Sequence, residues 1–503
     1  MTPSEDLFRL IKSLTPNEKG YFKKFSKIHV REGKNNYMML FEAIDKQIEY
    51  DEKAIINKFS KEQFVKQFPV AKNYLYNLIL KALDVYHSGV DLEIGYLIHC
   101  SIILSDKAMF EPALKFLKRA EVLAHEHHKL SYVNKILNHE LFILRGEASP
   151  KKAEELEMHF RSRVENADQL RYVIEYQHLY DLMNIQYSVS FGSERENCIK
   201  EAEKLMKHPL IKNVPSDLSL YARIEFLYTT LLYHSIKQEY EKAYAISGEL
   251  CGNILKENEH ILPKRTKIII MQQHCHYCIS TGRLEEAITI VDKLKQIETT
   301  NEFERLTIFQ FVYRQELILN LAIDGYTKSI PVLEKIGNEL AEFEDILQGN
   351  QKGFILCLAA ITHFVNGKYK EALKWTHHIL NGKLSEFRMD IISCAKLLEI
   401  LIFYETDKND VIHYKLESFE RSFKKEKEKH RYEILVISHL KKIIQLANAQ
   451  ELKDLLMKAK KELDEHCAKN ALTQDVFYRF DIRNWMQSKI TAMPMAGILA
   501  GKK

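Results

Sequence analysis

The sequence contains few of the residues that interrupt regular secondary structure. Gly contributes 17 and Pro 10 of the 503 residues, together about 5% where average usage is about 12%. Tight hairpins and glycine-rich phosphate loops depend on these residues, so the chain has little material for either. With 46% hydrophobic and 28% charged residues, it has neither a disordered nor a membrane composition. We therefore predict an all-α protein.

Long hydrophobic runs and a clustered cysteine pattern are also missing. The longest purely aliphatic run is about Ile268–Met271, far below the roughly 18 residues of a membrane span. Residues Met1–Asp6 lack the basic start and apolar run of a signal peptide. The 8 cysteines are scattered among apolar neighbours, which suits reduced core thiols rather than a disulfide framework. We expect a cytoplasmic protein with no membrane partner.

Motifs of catalysis are absent from the sequence as well. It has no Gly-rich phosphate loop, no Gly-x-Ser-x-Gly turn and no Cys/His pairing in a catalytic context. His274 and Cys278 are four residues apart and offer two zinc ligands on one helix face. Two more ligands would have to come from elsewhere, and the adjacent Cys275 has a packing role. We predict no enzyme activity, no cofactor and no metal site.

What the chain does contain is an internal repeat. The segments Gly282–Ala287 (GRLEEA) and Gly367–Ala372 (GKYKEA) match almost letter for letter. Looser versions of this motif have an apolar or aromatic residue and, three positions later, either a small residue or the last residue of the motif. We call that later residue the marker residue. These markers lie 40 to 49 residues apart, at Ala113, Ala153, Ala202, Ala243, Ala287, Ser329, Ala372 and Tyr414. The period predicts units of helix, short turn and helix, which bury their apolar faces only by stacking.

The repeat resembles the tetratricopeptide family, whose units carry a small residue in the first helix, a Gly-x-Tyr-like turn and two alanines seven apart in the second helix. The period of about 42 residues exceeds the family's 34 or so, close to one extra turn on each helix. The likeness implies a right-handed α-solenoid of antiparallel helix pairs over residues 91–425, with a binding role. The residues that carry it are Ala113 and Ala120, Gly282, Leu284 and Ala287, Gly367, Tyr369 and Ala372, with Cys275 and Ala360 in the first helices.

In that family the first helix of each pair lines a concave groove. In each unit, the residue that corresponds to a groove-lining position of the family is found by counting back from the marker residue. These residues are polar or aromatic, and His276 follows one of them, Gln272, by four residues. A ladder of this kind holds a peptide by hydrogen bonds and aromatic contacts. The alternative is that these side chains pack between long helices or face water. The predicted groove residues are Asn138, Tyr187, Tyr228, Gln272, His276 and Arg314.

The two ends of the chain fall outside the repeat. Residues 1–90 predict helices at about 4–13, 16–29, 35–50, 52–66 and 70–87, forming either a cap on the first repeat or a basic helical module. Residues 426–491 are expected to form a C-terminal helical cap, and residues 492–503 a disordered tail. Residues 1–90 hold 15 basic and 11 acidic side chains, and the basic patch within them consists of Lys19, Lys23, Lys24, Lys27, Arg31 and Lys34.

Two functions fit this organisation. The first is a non-catalytic intracellular scaffold that binds another protein or a peptide through the groove of the solenoid. The second is a regulator whose basic patch binds nucleic acid while the repeats sense a partner. A solvated helix face also explains the patch, and the N-terminal positions of the helix at 70–87 carry few base-reading side chains. We therefore favour the scaffold.

Overall fold

The computed structural model describes residues 5–28, 36–87, 89–145, 150–190, 195–299, 301–323, 329–343, 346–347, 349–382, 387–423, 431–446, 448–469 and 480–500. Within these ranges all regular secondary structure is helical, which confirms the all-α prediction. None of the described helices combines the length and apolar character needed to cross a membrane. The chain divides into two compact units, residues 1–170 and residues 171–503.

The first unit opens with the helices predicted for residues 1–90. Two predicted helices end early: the helix expected at 35–50 ends at Lys46, and the helix expected at 52–66 ends at Lys58, after which a 3₁₀ turn covers Gln63–Gln67. The intervening turn lets both Phe59 and Phe68 enter the core. The helices are α1 (Asp6–Ser13), α2 (Pro16–Ile28), α3 (Asn36–Lys46), α4 (Glu52–Lys58), α5 (Phe68–Tyr86), α6 (Val90–Asp106), α7 (Phe110–Glu126) and α8 (Leu130–Leu144), and α9 (Pro150–Val189) begins in this unit.

Two apolar clusters hold the first unit together. In one, α5 packs against α1, α2 and α3 around fully buried Phe41 and Leu75. In the other, α7 packs between α6 and α8. Ala113 and Ala120 have no exposed surface there, as their small side chains allow the close helix approach that the repeat predicted.

The second unit contains the rest of the helices. From α15 to α19, each odd-numbered helix packs against the next helix and against the next odd-numbered one. A π-helical turn at Leu250–Ile254 joins α13 to α14. The helices are α10 (Arg195–Leu205), α11 (Pro209–Lys212), α12 (Leu220–Ile236), α13 (Tyr240–Glu249), α14 (Leu255–Glu257), α15 (Lys264–Ser280), α16 (Leu284–Lys295), α17 (Glu302–Ile323), α18 (Ile330–Phe343), α19 (Gly349–Val365), α20 (Tyr369–Leu380), α21 (Met389–Glu405), α22 (Asn409–Arg421), α23 (Arg431–Ile443), α24 (Ala449–Lys469), α25 (Ile482–Thr491) and α26 (Met495–Ala500).

One helix-ending turn recurs along the chain. At Gly282 the backbone is left-handed, with φ +79°. The Gly282 N–H donates to the Ile279 carbonyl at 3.1 Å and the Arg283 N–H to the Cys278 carbonyl at 2.7 Å. These two bonds form a Schellman motif, which favours glycine at the left-handed position. The same pair of bonds closes the turns at Ala108, Gln238, Gly367 and Asp407.

Six of the eight marker residues are buried, and the other two are exposed. Six have no exposed surface: Ala113, Ala202, Ala243, Ala287, Ser329 and Ala372. Ala153 is exposed, because α9 runs unbroken for 40 residues with no Gly or Pro after Pro150 to end it. Tyr414 is 65% exposed. Ile412, five residues after the turn at Asp407, is fully buried in its place.

Part of the predicted C-terminal tail is helical. Residues Met495–Ala500 form α26, which packs against α25, and residues 501–503 lie outside the described residues. The Met495 side chain is only 8% exposed and joins the core that begins at Ile268. The same core includes residues of α23, α24 and α25, so the predicted C-terminal cap shares it with the helices that precede it.

Candidate functional site

Four of the six predicted groove residues lie on neighbouring helices of the second unit. Tyr228 is on α12, Gln272 and His276 are on α15, and Arg314 is on α17. Because Gln272 and His276 are four residues apart, they share one face of α15, and α15 packs against α17. Two further side chains lie beside Tyr228. The six together form the polar row: Tyr180, Glu225, Tyr228, Gln272, His276 and Arg314.

The end of the polar row at α9 and α12 is acidic. The ring centroids of Tyr180 and Tyr228 are 5.9 Å apart. Burial and the nearby charge of Asp181 raise the pKa of Glu225 to about 7. The Tyr228 hydroxyl is buried and has no hydrogen-bond partner in the described part of the chain. This end therefore offers a carboxyl group, which bonds to Gln177, and a phenol hydroxyl with no hydrogen-bond partner in the described part of the chain.

Gln272 lies below the surface in the middle of the row. Its side chain is only 1% exposed, which corrects the prediction that it stands open in a groove and favours packing between helices. Neither amide atom, Oε1 or Nε2, has a partner among the residues with described positions. An unsatisfied buried polar group costs about 1–3 kcal/mol. Such a group is typical of a place where a water molecule or a bound ligand completes the bonding.

The opposite end of the row is basic. Burial and the charge of Arg314 lower the pKa of His276 to about 3, so its imidazole is neutral near pH 7. The Arg314 guanidinium lies 5.9 Å from the centroid of the Phe354 ring, and its Nε atom is buried without a partner within the described ranges. Arg388 lies 4.9 Å over the same ring. Its guanidinium also donates to the Asp390 carboxylate at 3.0 and 2.6 Å.

The other two predicted groove residues have local roles. Asn138 is exposed in the first unit, where its Oδ1 atom accepts a hydrogen bond from Arg163 at 2.9 Å. Tyr187 is half-buried beside the apolar cluster of Met183 and Cys198 in the second unit. Neither side chain belongs to the polar row.

The basic patch is partly neutralised by α3. Lys19 Nζ donates to Asp45 Oδ1 at 2.7 Å, and Lys23 lies 3.8 Å from Glu42. Lys24 and Lys27 on α2 are exposed. The other two predicted members, Arg31 and Lys34, lie outside the described residues.

Sequence reasoning missed three residues around the polar row. Glu225 is three residues before Tyr228 on α12, a spacing that places both on one helix face. Tyr180 is seven residues before Tyr187, and so lies two helical turns earlier on α9. No comparable spacing indicates Phe354, because an aromatic residue in an apolar helix is predicted to be a core residue.

A second cluster of polar side chains lies on α15 and α16. The ligand atoms of His274, Cys278 and Glu286 all lie within 4.8 Å of one another. The sequence indicated the first two residues as a helical pair. It did not indicate Glu286. This residue lies in the Gly282–Ala287 segment, where a glutamate in the first turn of a helix is typical of an exposed position.

The comparisons with known proteins add no relative. No protein-family model, curated protein or solved structure matches the chain. The function is therefore inferred from the chain's own residues.

Proposed function

We propose that the second unit is a tetratricopeptide-like, right-handed α-solenoid of antiparallel helix pairs. The contacts of α15, α17 and α19 with both the following helix and the next odd-numbered one support this arrangement. So does the recurrence of the same Schellman turn, since identical turns between helices of similar length generate similar pairs. In such a stack the first helices of the pairs line a common surface, and α12, α15 and α17, which carry the partly exposed Tyr228, His276 and Arg314, are first helices of this kind.

The solenoid acts as a non-catalytic scaffold that binds a peptide or an extended protein segment along the polar row. The observation that carries this function is the unused bonding capacity of Tyr228, Gln272 and Arg314, each of which has a buried polar atom without a partner in the described chain. A row of such groups costs stability in the free protein. A bound peptide backbone supplies donors and acceptors in series and offsets that cost.

The bound segment has a defined direction. Glu225 and Asp181 place carboxyl groups at one end of the row, and Arg314 places a guanidinium at the other. A peptide with a basic group facing Glu225 and an acidic side chain or terminal carboxylate facing Arg314 matches both ends. The reversed peptide meets like charges, so the row selects orientation as well as composition.

The cysteine chemistry favours a reducing compartment for this scaffold. All 8 cysteines are free thiols. Cys357 and Cys394 are close enough to share a hydrogen bond that raises the pKa of the Cys357 thiol, yet they do not form a disulfide. The cytoplasm is the compartment in which such a pair stays reduced.

Selection from a random peptide library on the full chain tests the function directly. We expect enriched peptides to carry an acidic side chain or a free carboxyl terminus. Synthetic versions should bind Arg314→Gln about tenfold or more weakly, since a hydrogen bond to a charged group contributes about 1.5–3 kcal/mol. Isothermal titration calorimetry measures the affinities. Arg305→Gln is the matched control, because Arg305 lies on the same helix but is paired with Glu342 at 2.7 Å.

Two results contradict the proposal. One is a selection that enriches no sequence. The other is equal affinity of the selected peptides for wild type, Arg314→Gln and Arg305→Gln. A Tyr228→Phe variant adds a second arm, because it removes the unpartnered hydroxyl and keeps the ring. It should weaken peptide binding and leave the thermal unfolding midpoint of the free protein unchanged or higher.

A further inference from the structure

A cluster of three different metal-ligand types lies where α15 turns into α16. We propose that His274, Cys278 and Glu286 bind one divalent transition-metal ion of the zinc type, with water as the fourth ligand. This site shares α15 with the polar row but uses other side chains, so it does not depend on peptide binding.

The spacing of the ligand atoms suits a tetrahedral ion. His274 Nε2 lies 3.1 Å from Glu286 Oε1 and 3.9 Å from Cys278 Sγ. All three ligand atoms lie within 4.8 Å of one another. In a tetrahedral zinc site with bonds of about 2.0–2.3 Å, neighbouring ligand atoms are about 3.3–3.8 Å apart. Shifts of about 1 Å or less bring the three atoms to that spacing.

The backbone holds the ligands in place before any ion binds. His274 and Cys278 lie one turn apart on α15, so their side chains project from one face. The Schellman turn at Gly282 then returns the chain, and α16 packs against α15. Glu286 lies in the first turn of α16, opposite that face. The recurring turn of the repeat therefore brings the third ligand to the other two.

The hydrogen bonds of His274 direct one lone pair toward the proposed ion. The Ser247 hydroxyl donates to the Tyr244 carbonyl at 2.9 Å, which leaves its oxygen to accept from His274 Nδ1, also at 2.9 Å. The ring proton is then on Nδ1, and Nε2 presents a lone pair to the Glu286 carboxylate. Two lone pairs at that distance repel each other unless a metal ion, or a proton carried by the ring or the carboxyl group, lies between them. A histidine bonded in this way is typical of metal sites.

The carboxylate is oriented by a neighbouring tyrosine. Tyr244 donates its hydroxyl hydrogen to Glu286 Oε2 at 2.9 Å, and its ring stacks on the His274 ring with centroids 5.3 Å apart. The Glu286 side chain is 42% exposed, so an ion reaches the site from solvent and a water molecule has room as fourth ligand.

The thiol gives the site its selectivity. Cys278 is fully buried, and its Sγ lies 3.9 Å from His274 Nε2. A cysteine thiol ordinarily carries its proton near pH 7. Binding replaces that proton by the metal, so the sulfur becomes a thiolate ligand and one proton leaves to solvent. A mixed sulfur, nitrogen and oxygen set of this kind favours Zn²⁺ or Co²⁺ over Mg²⁺ and Ca²⁺.

Titration of the full chain with metal ions tests the site. Protein dialysed against a chelator is titrated with Zn²⁺ by calorimetry, and with Co²⁺ by absorption. We expect one ion per chain, a thiolate-to-cobalt charge-transfer band and the visible bands of tetrahedral Co²⁺. About one proton per ion should be released as the Cys278 thiol becomes a thiolate ligand, measured from the buffer dependence of the binding enthalpy. Mg²⁺ should not compete.

Substitutions separate a metal site from an ordinary ion pair. Cys278→Ser should abolish the charge-transfer band and weaken Zn²⁺ binding about 100-fold or more, exceeding the 10–100-fold typical of losing an outer-shell partner. Glu286→Gln, at a partly exposed position, should weaken binding at least about tenfold. Glu285→Gln is the matched control on the neighbouring exposed carboxylate and should bind as wild type does.

The opposite results overturn the proposal. If Zn²⁺ does not bind stoichiometrically, or if Co²⁺ binds without a thiolate band, then a protonated His274 paired with Glu286 accounts for the cluster. Equal Zn²⁺ affinity in wild type and Glu286→Gln also removes the site. Should Cys278→Ser fail to fold, Glu286→Gln and the cobalt spectrum of wild type still decide the matter. Arg314→Gln should keep full Zn²⁺ affinity, so failure of the peptide site is distinguishable from failure of this one.

Discussion

Helix α2 in the first unit and the polar row in the second both concentrate polar side chains, yet they use them in opposite ways. On α2, Glu18 bonds to Thr15, and Lys19 and Lys23 pair with acidic groups of α3. In the polar row, Tyr228 and Gln272 hold buried polar atoms with no partner among the described residues. Polar groups that are satisfied inside the chain stabilise it, whereas unsatisfied ones cost stability and mark a surface for binding.

The largest effect should come from Glu225 in the polar row. Its folded-state pKa of about 7 lies above its ordinary value of 4.5, so the folded state binds more protons between these pH values. Stability is therefore lost as the pH rises from about 4.5 through 7. At about 1.4 kcal/mol per unit of pKa change, Glu225→Gln should be about 3 kcal/mol more stable than wild type at pH 8 and equal to it at pH 4. Urea unfolding at both pH values measures this.

The neighbouring carboxylate provides the control for that result. Asp181→Asn removes the second cause of the raised pKa and should recover part of the stability at pH 8 while leaving Glu225 in place. If Glu225→Gln shows the wild-type dependence of stability on pH, the carboxyl is not desolvated. The acidic end of the polar row would then be an ordinary surface.

The next effect concerns the buried amide of Gln272. Gln272→Met keeps the side-chain length and removes both unpartnered atoms, so it should stabilise the free protein by about 1–3 kcal/mol. Gln273→Met, at the adjacent half-buried position, should change stability by less than about 0.5 kcal/mol. The urea midpoints of the two variants and wild type decide the comparison. A destabilised Gln272→Met would mean that the amide already has a partner, and the contrast with α2 would fail.

The sequence predicts the helical fold and its turns better than the site, for physical reasons. The small residue at Ala287 and the left-handed glycine at Gly282 are local requirements, so their spacing shows directly in the chain. The length of α9 was missed because Pro150 is permitted in the first turn of a helix and need not start a new pair. Glu286 was missed because only the close packing of α16 on α15 turns it toward His274.

The predicted groove residues came from the family's register, and four of the six lie on α12, α15 and α17. Tyr228 and Arg314 are in the row because their helices keep the regular turn and pair pattern. Asn138 lies on α8 and Tyr187 on α9. The unbroken helix α9 interrupts the regular alternation of helix and turn there. The unsatisfied bonding of Gln272 depends on every neighbour around its amide, so only three-dimensional contacts reveal it.

A smaller effect is expected from the helix cap of α2. The Thr15 hydroxyl accepts from the Glu18 N–H at 3.3 Å, and the Thr15 N–H donates to Glu18 Oε2 at 2.6 Å, which together form a capping box. Thr15→Ala should destabilise by about 1 kcal/mol. Burial acts to raise the pKa of Glu18, but its bonds to Thr15 and His87 lower it. The stabilisation is therefore present above the ordinary pKa of Glu18 and lost as the pH falls.

Unfolding of wild type and Thr15→Ala at pH 7 and at pH 3 measures this dependence. The difference between the two proteins should shrink at the lower pH. Thr281→Ala is the control, since the Thr281 hydroxyl donates to the Tyr277 carbonyl at 2.7 Å and involves no carboxylate. A difference for Thr15→Ala that is equal at both pH values would contradict the capping role of the Glu18 charge.

The smallest effect is expected where the two regions differ most, at the exposed lysines of α2. If α2 binds duplex DNA through Lys24 and Lys27, changing both to Gln should reduce the slope of log affinity against log salt concentration by about 2 in magnitude. Each phosphate contact contributes about 0.9 to that slope. If α2 is only a solvated helix face, the two substitutions remove a weak, long-range attraction to DNA that salt screens, and no specific phosphate contact. Since Lys19 and Lys23 already face acidic groups on α3, we expect the second behaviour, measured by fluorescence anisotropy of labelled duplex DNA across a salt series. A slope reduced by about 2 would instead make α2 a nucleic-acid surface, and satisfied polar groups would no longer distinguish a structural helix from a binding one.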